Sequence, residues 1–203
     1  GIRLRIPAMA FQDVAAAIHR AQSVLGRRPQ AGLHEDPPAL AQWSRDTRVV
    51  TSHANGTQFQ TDMPTELGGT GELITPGWLM RAGLASCTAT SIAMAAATQS
   101  IELRRLEVLA ASRSDARGLL GMSESDGTRV KPGPRRIQLT VRICAAGVPA
   151  NRLRALIGAR SGEFPEAVAV YSASTSGKPL RLCAHPDQEF AEHLAWQRVP
   201  VAP

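Results

Sequence analysis

Aromatic side chains are nearly missing from this sequence, at 4% of 203 residues, and lysine is as scarce: of 23 basic residues only Lys131 and Lys178 are not arginine. The first shortage means that a core must be built from Ala, Val, Leu and Ile, for which the hydrophobic fraction of 43% is ample. It also removes the stacking platforms of a single-strand nucleic-acid binder. The formal charge of +6 comes from dispersed arginines, and the pairs Arg27/Arg28, Arg104/Arg105 and Arg135/Arg136 do not merge into a run. A solvated basic surface is therefore expected, and no specific nucleic-acid partner.

Cysteine is sparse too. Cys87, Cys144 and Cys183 are odd in number and widely spaced, which is no disulfide framework and points to a reducing, cytoplasmic setting. Gln12 and Asp13 interrupt any signal-peptide core near the N-terminus. The longest apolar stretch, residues 78–97, contains Arg81 and many hydroxyls, so a buried helix is expected there and no membrane span. There is no Gly-x-Ser-x-Gly elbow, and the loop Gly68–Gly71 lacks the Lys-Ser/Thr ending of a phosphate loop. Cys183-Ala184-His185 has no second ligand pair at metal-site spacing, so neither metal nor cofactor is expected. His19, His34, His53 and His193 are scattered and read as surface or capping residues.

What is present is an α+β pattern. Residues 8–25 read as a helix with Phe11, Val14, Ile18, Val24 and Leu25 on a stripe, stopped by Gly26 and Pro29. Residues 26–44 carry prolines and glycines without periodicity and read as a linker. The expected division is an N-terminal extension over 1–42, one main domain over 43–185 and a polar tail over 186–203, with a possible helix around 190–197. The main domain opens with strand-like runs at 48–53 and 57–62, split by the turn pair Asn55-Gly56. After a glycine-rich loop, Thr75 as N-cap and Pro76 in the first turn open a helix to about residue 99 that is apolar almost all round, as suits a central element. Strands are expected at 101–117 and 136–145, joined by a long hairpin tip, and a helix at 149–160. An irregular or helical piece should follow Phe164-Pro165, then a last strand at about 180–184.

Cys87 is the candidate reactive atom. It lies in Gly83-Leu84-Ala85-Ser86-Cys87-Thr88-Ala89-Thr90, where small neighbours leave room for a substrate and hydroxyls can stabilise a thiolate. A buried, inert thiol is the ordinary alternative. Cys144 and Cys183 sit in strand-like runs, where a small buried hydrophobe is the usual role. To resolve an oxidised Cys87, either would need a Cα separation of ~4.4–6.8 Å from it.

The run Asp62-Met63-Pro64-Thr65-Glu66-Leu67-Gly68-Gly69, followed by Thr75-Pro76, Leu79, Ala82-Gly83 and Cys87, resembles the OsmC/Ohr family of osmotically inducible and organic-hydroperoxide-resistance proteins. The resemblance spans roughly residues 45–184. It implies an OsmC-like α+β fold in which antiparallel sheets wrap a central Cys-bearing helix within an intertwined homodimer. It also implies a thiol peroxidase. There the helix cysteine attacks the peroxide and a second cysteine closes a disulfide, while an arginine and a glutamate activate the first thiol. Cys87 takes the peroxidatic position, and Arg45 and Arg48 are the candidates for the arginine. Two positions depart from the pattern: Gly77 stands where the glutamate belongs, and Phe164-Pro165 where the second Cys-Pro belongs. The functions to separate are a single-cysteine redox protein served by an external thiol reductant, a non-catalytic relative binding a small apolar ligand, and a structural or partner-binding dimer. For the ligand, Trp78, Met80 and Phe164 are the expected pocket lining.

Overall fold

The computed structural model describes residues 11–161 and 167–174. Phe164, Cys183, the expected strand at 180–184 and the tail over 186–203 lie outside the described residues. Helix α1 (Phe11–Arg27) is followed by a short 3-10 turn and strand β1 (Leu40–Arg45). Strands β2 (Arg48–Ser52) and β3 (Gln58–Thr61) complete a three-stranded antiparallel sheet in the order β1-β2-β3. Helix α2 (Pro76–Thr98) then leads to β4 (Leu103–Ser114), the one-turn α3 (Ala116–Leu119), β5 (Pro134–Ala145), α4 (Ala150–Ser161) and β6 (Ala167–Ser174). The second sheet has the order β4-β5-β6.

The turn chemistry explains the first sheet. Asn55 Oδ1 accepts from the Thr57 N–H, and Gly56 takes φ 89°, so the Asn-Gly pair closes the β2–β3 hairpin as expected. Strand β1 begins inside the stretch that reads as a linker. Its turn into β2 is made by Asp46 at φ 48°, a conformation that Asp tolerates better than most residues, and Trp43 Nε1 donates to the Asp46 carbonyl at 2.9 Å.

The second sheet carries the core. On β5, Leu139, Val141, Ile143 and Ala145 alternate inward and are buried, as a strand period of two requires. Val141, Ile143 and Ala145 meet Ile92, Ala95 and Ala96 from the last turns of α2, and Leu153, Leu156 and Ile157 from α4. Leu106 and Val108 of β4 pack at the margin. Strand β4 pairs antiparallel with β5, but β6 runs parallel to β5, with α4 as the crossover. This corrects the expectation of an irregular or helical piece after Pro165: the alternating Ala-Val-Ala-Val-Tyr run at 167–171 forms a strand.

Helix α2 is the axis. Thr75 caps it, its Oγ1 accepting from the Trp78 N–H at 3.2 Å, and Pro76 fills the first turn as expected. Within one chain, however, only Ile92, Ala95, Ala96 and Ala97 of its 23 residues are buried. The second sheet packs along one side of it, and α1 rests on it through a half-buried stripe of Phe11, Val14 and Ile18. Among the described residues the first sheet packs closely on no other element; of its 15 strand residues only Thr61 is buried.

Candidate functional site

Cys87 is exposed. At 100° per residue, Met80, Gly83, Cys87, Thr90 and Met94 share one face of α2, and all five are exposed, the two methionines at 40% and 42%. This face points away from the second sheet, towards which Arg81 is turned: its Nη1 donates to Ser112 Oγ of β4 at 3.3 Å. Gly77 lies one turn before Arg81, and a Cβ there would meet only the guanidinium, at 3.6 Å. A side chain would therefore fit at position 77, and this chain places none there.

Beside Cys87 runs a groove of about 700 Å³ between the first sheet and the N-terminal half of α2. Phe59, Ile74, Trp78, Leu79 and Ala82 supply apolar walls, and Thr51, Ser52, His53, Thr57 and Ser86 supply polar edges. Ser86 and Gly83 connect it to the thiol: one precedes Cys87 in sequence and the other lies one helical turn before it. A Cβ on Gly83 would meet nothing within 4 Å, so the helix surface is open at that position. Trp78 is among the residues that line the groove. Met80 is not among its lining residues and sits on the free face with Cys87.

The two candidate arginines differ. Arg45 is exposed at the end of β1 and is paired in register with Arg48. Arg48 is largely buried, and its Nη2 lies 3.3 Å from Thr70 Oγ1 and 3.5 Å from Asp62 Oδ2. Asp62 is 2% exposed and organises the whole glycine-rich loop. It accepts hydrogen bonds from Thr47 Oγ1 at 2.5 Å, the Met63 N–H at 2.8 Å, and both the N–H and hydroxyl of Thr70 at 3.1 and 2.8 Å. These bonds, that from Thr47 foremost, hold its carboxyl well below the usual carboxylate range. Gly69 is required by the same closure, because a Cβ there would lie 1.8 Å from the Met63 carbonyl oxygen. Sequence reading quoted Asp62 within the motif but gave it no task. The signal was a lone acid directly before Met-Pro, facing an arginine-bearing strand.

Cys144 has a different environment. Because Val141, Ile143 and Ala145 face the core, Cys144 and Arg142 alternate to the opposite side of β5, and Cys144 pairs in register with Arg105. Glu107 receives Arg105 on that outer face, with Arg142 Nη1 3.9 Å from its carboxylate. The sheet itself thus lies between Cys144 and the helix of Cys87 in one chain. Among the described residues, no three His, Cys, Asp or Glu side chains are gathered to hold a metal, and no helix is long and apolar enough to cross a membrane.

An α+β protein with a long helix carrying an open thiol, entered from an acid-anchored glycine loop, is the class these features define. Residues 69–160 match the family model described as OsmC-like protein. Among solved structures, the chain is similar to an OsmC-like protein from Mycoplasma pneumoniae, with TM-score 0.55 and 15% identity over 70% of this chain and 98% of that one. An OsmC-like protein of unknown function from Vibrio cholerae gives 0.53 and 13%, over 70% and 100%. An organic hydroperoxide resistance protein from Elizabethkingia anophelis, with crystallant-derived thiocyanate bound, gives 0.50 and 18%, over 71% and 99%. No curated protein matches. The fold is that of the OsmC/Ohr proteins, and the family match covers the helix that carries Cys87.

Proposed function

We propose that this protein is a homodimeric, single-cysteine thiol peroxidase acting on organic hydroperoxides, with Cys87 as the oxidised group and an external thiol as reductant. The observation that carries the reading is the exposure of Cys87 on the free face of α2, joined through Gly83 and Ser86 to an apolar groove able to hold the organic part of a peroxide. In the reaction the Cys87 thiolate attacks one peroxide oxygen, the O–O bond breaks, and the alkoxide leaves and takes up a proton as the alcohol. Cys87 becomes a sulfenic acid. An external thiol then condenses with it, releasing water and leaving a mixed disulfide. A second external thiol displaces Cys87, and the two reductant thiols leave as a disulfide.

Two facts favour a second reading, a non-catalytic protein that holds a small apolar ligand in the same groove. Gly77 offers no carboxylate, and Arg48 is engaged with Asp62 and Thr70 on the first sheet. The homodimer is supported by surface that the described residues leave uncovered: the Met80–Met94 face of α2 and a sheet β1–β3 that packs closely on no other described element. An apolar helix face and a bare sheet in one chain are what a second copy would cover.

Treating the reduced protein with one equivalent of cumene hydroperoxide in the presence of dimedone should place a dimedone adduct on Cys87 by peptide mass spectrometry. Absence of that adduct, with the protein folded, rejects the peroxidase in favour of the ligand-binding reading.

A further inference from the structure

We infer that two copies of this chain clasp one another through a reciprocal contact, in which the β4–β5 hairpin tip of each packs its Leu119, Leu120 and Met122 on Trp43 of the partner subunit. The inference rests on the homodimer of the proposed function and adds where its halves meet; it uses neither the groove nor the reactivity of Cys87. The tip is rigid by construction. Asp115 Oδ1 accepts from the Arg117 N–H at 3.0 Å and so caps the one-turn α3. The Arg117 guanidinium donates to Asp115 Oδ2 at 2.7 Å and to both Glu124 carboxylate oxygens, each at 3.0 Å. The Met122 N–H donates to the Arg117 carbonyl at 2.9 Å, and the Val130 N–H to the Met122 carbonyl at 3.1 Å. Gly118 permits this closure, because a Cβ there would lie 2.4 Å from the Lys131 carbonyl oxygen. The charges of Asp115, Arg117 and Glu124 are thus paired with one another. What the tip turns outward is apolar: Leu119, Leu120 and Met122 are 56%, 60% and 48% exposed. A knob already ordered in this way loses little freedom on docking.

The receiving surface is equally prepared. Trp43 is 73% exposed, yet its Nε1 donates to the Asp46 carbonyl at 2.9 Å, so its one polar atom is used and the ring is held in place. It stands on a sheet that packs closely on no other described element. Area selects the occupant. The three tip residues expose roughly 300 Å² of apolar surface, well under the ~800 Å² that each partner gives to a stable interface. A tip-to-tip contact would add nothing to this and would leave Trp43 bare. In a two-fold pair a tip that meets Trp43 does so twice, so each chain gives both surfaces, roughly 500 Å² together. The Met80 face of α2 continues the same surface. Arg81, next to Met80, donates to Ser112 Oγ of β4 at 3.3 Å, and the tip begins three residues beyond Ser112. The clasp therefore bounds the Cys87 end of each α2 with residues of both chains.

A double-mutant cycle on the full chain, read by sedimentation equilibrium with circular dichroism as the check on folding, tests the contact. Trp43→Ala, and Leu119→Ala with Leu120→Ala, should each raise the dimer dissociation constant about tenfold or more. All three substitutions together should be weaker than the worse of these by no more than about threefold, since the two sides of one contact are lost once. Leu33→Ala, at another exposed apolar residue, should stay within about twofold. Hydrogen exchange gives a second reading: as concentration is raised through dimerisation, amides of residues 115–130 and of β1 should slow together. A monomeric wild-type chain overturns the homodimer and the inference with it. A wild-type dimer that either substitution leaves intact, full multiplication of the effects in the combined variant, or exchange that slows in neither segment overturns the inference alone and assigns the tip to a different protein or a lipid surface.

Discussion

At its C-terminal end helix α2 sinks Ile92, Ala95 and Ala96 against β5 and α4, whereas in its N-terminal half Met80, Gly83 and Cys87 stand open. Both halves are apolar, and the residue types barely differ. What differs is the neighbour: the last turns face the second sheet and α4, while the first turns face a groove, a loop and uncovered surface. One helix is therefore divided between a part that stabilises the chain and a part left available for chemistry and association. Composition alone does not separate the two.

The comparison breaks most sharply at the buried end. Ile92→Ala should cost about 2–5 kcal/mol in urea denaturation, the transfer loss plus the cavity left between α2 and the sheet. Cys87→Ala, five residues earlier on the same helix, should stay within about 0.5 kcal/mol in the same measurement. Equal costs at the two positions would show that the free face is covered within one chain. A smaller effect is expected at the open face itself. Introducing Met80→Asp and Met94→Asp together should weaken self-association about tenfold or more by sedimentation equilibrium, by placing charge on the surface assigned to the second copy.

The mildest probe concerns the loop that leads into the open half. The Asp62 carboxyl is held below its unfolded range, so its contribution to stability is present above the unfolded carboxylate value of about 3.9 and is lost as pH falls through its lower folded value. Asp62→Asn should therefore lower the denaturation midpoint at pH 7, and the gap from wild type should narrow as the pH falls below about 4. A gap that stays constant with pH would assign the effect to packing and not to charge.

Much of this was legible in the chain. Asn55-Gly56 gave the β2–β3 hairpin, and Thr75-Pro76 gave the first turn of α2, because caps and turns act within three or four residues. The alternation on β5 gave the core strand for the same local reason. Strand β1 was hidden, since Leu-Ala-Gln-Trp-Ser-Arg has neither alternation nor β-branched residues and is held by pairing with β2 and the turn at Asp46. Strand β6 carries a local mark in Ala-Val-Ala-Val-Tyr, but Ala is a weak strand former and Pro165 directly before the run reads as a break. Of the candidate site, the placing of Trp78 and Cys87 on one helix is legible from Thr75-Pro76 and the apolar run that follows. Met80 lies outside the groove lining, and the role of Asp62 has no local mark because its partners Thr47, Arg48 and Thr70 lie on segments that only the fold brings together.

The bare sheet β1–β3 also sets an order of events. The second sheet, α4 and the end of α2 can close on one another as soon as a single chain collapses, since every residue of that core comes from one molecule. Among the described residues the first sheet packs closely on no other element, so in a homodimer its final arrangement would wait on encounter with the second copy. Folding would then proceed in two stages, a fast one independent of concentration and a slower one governed by how often two chains meet. During the interval the hairpin edges and the Cys87 face are the parts of the molecule most open to proteases, oxidants and unwanted pairing.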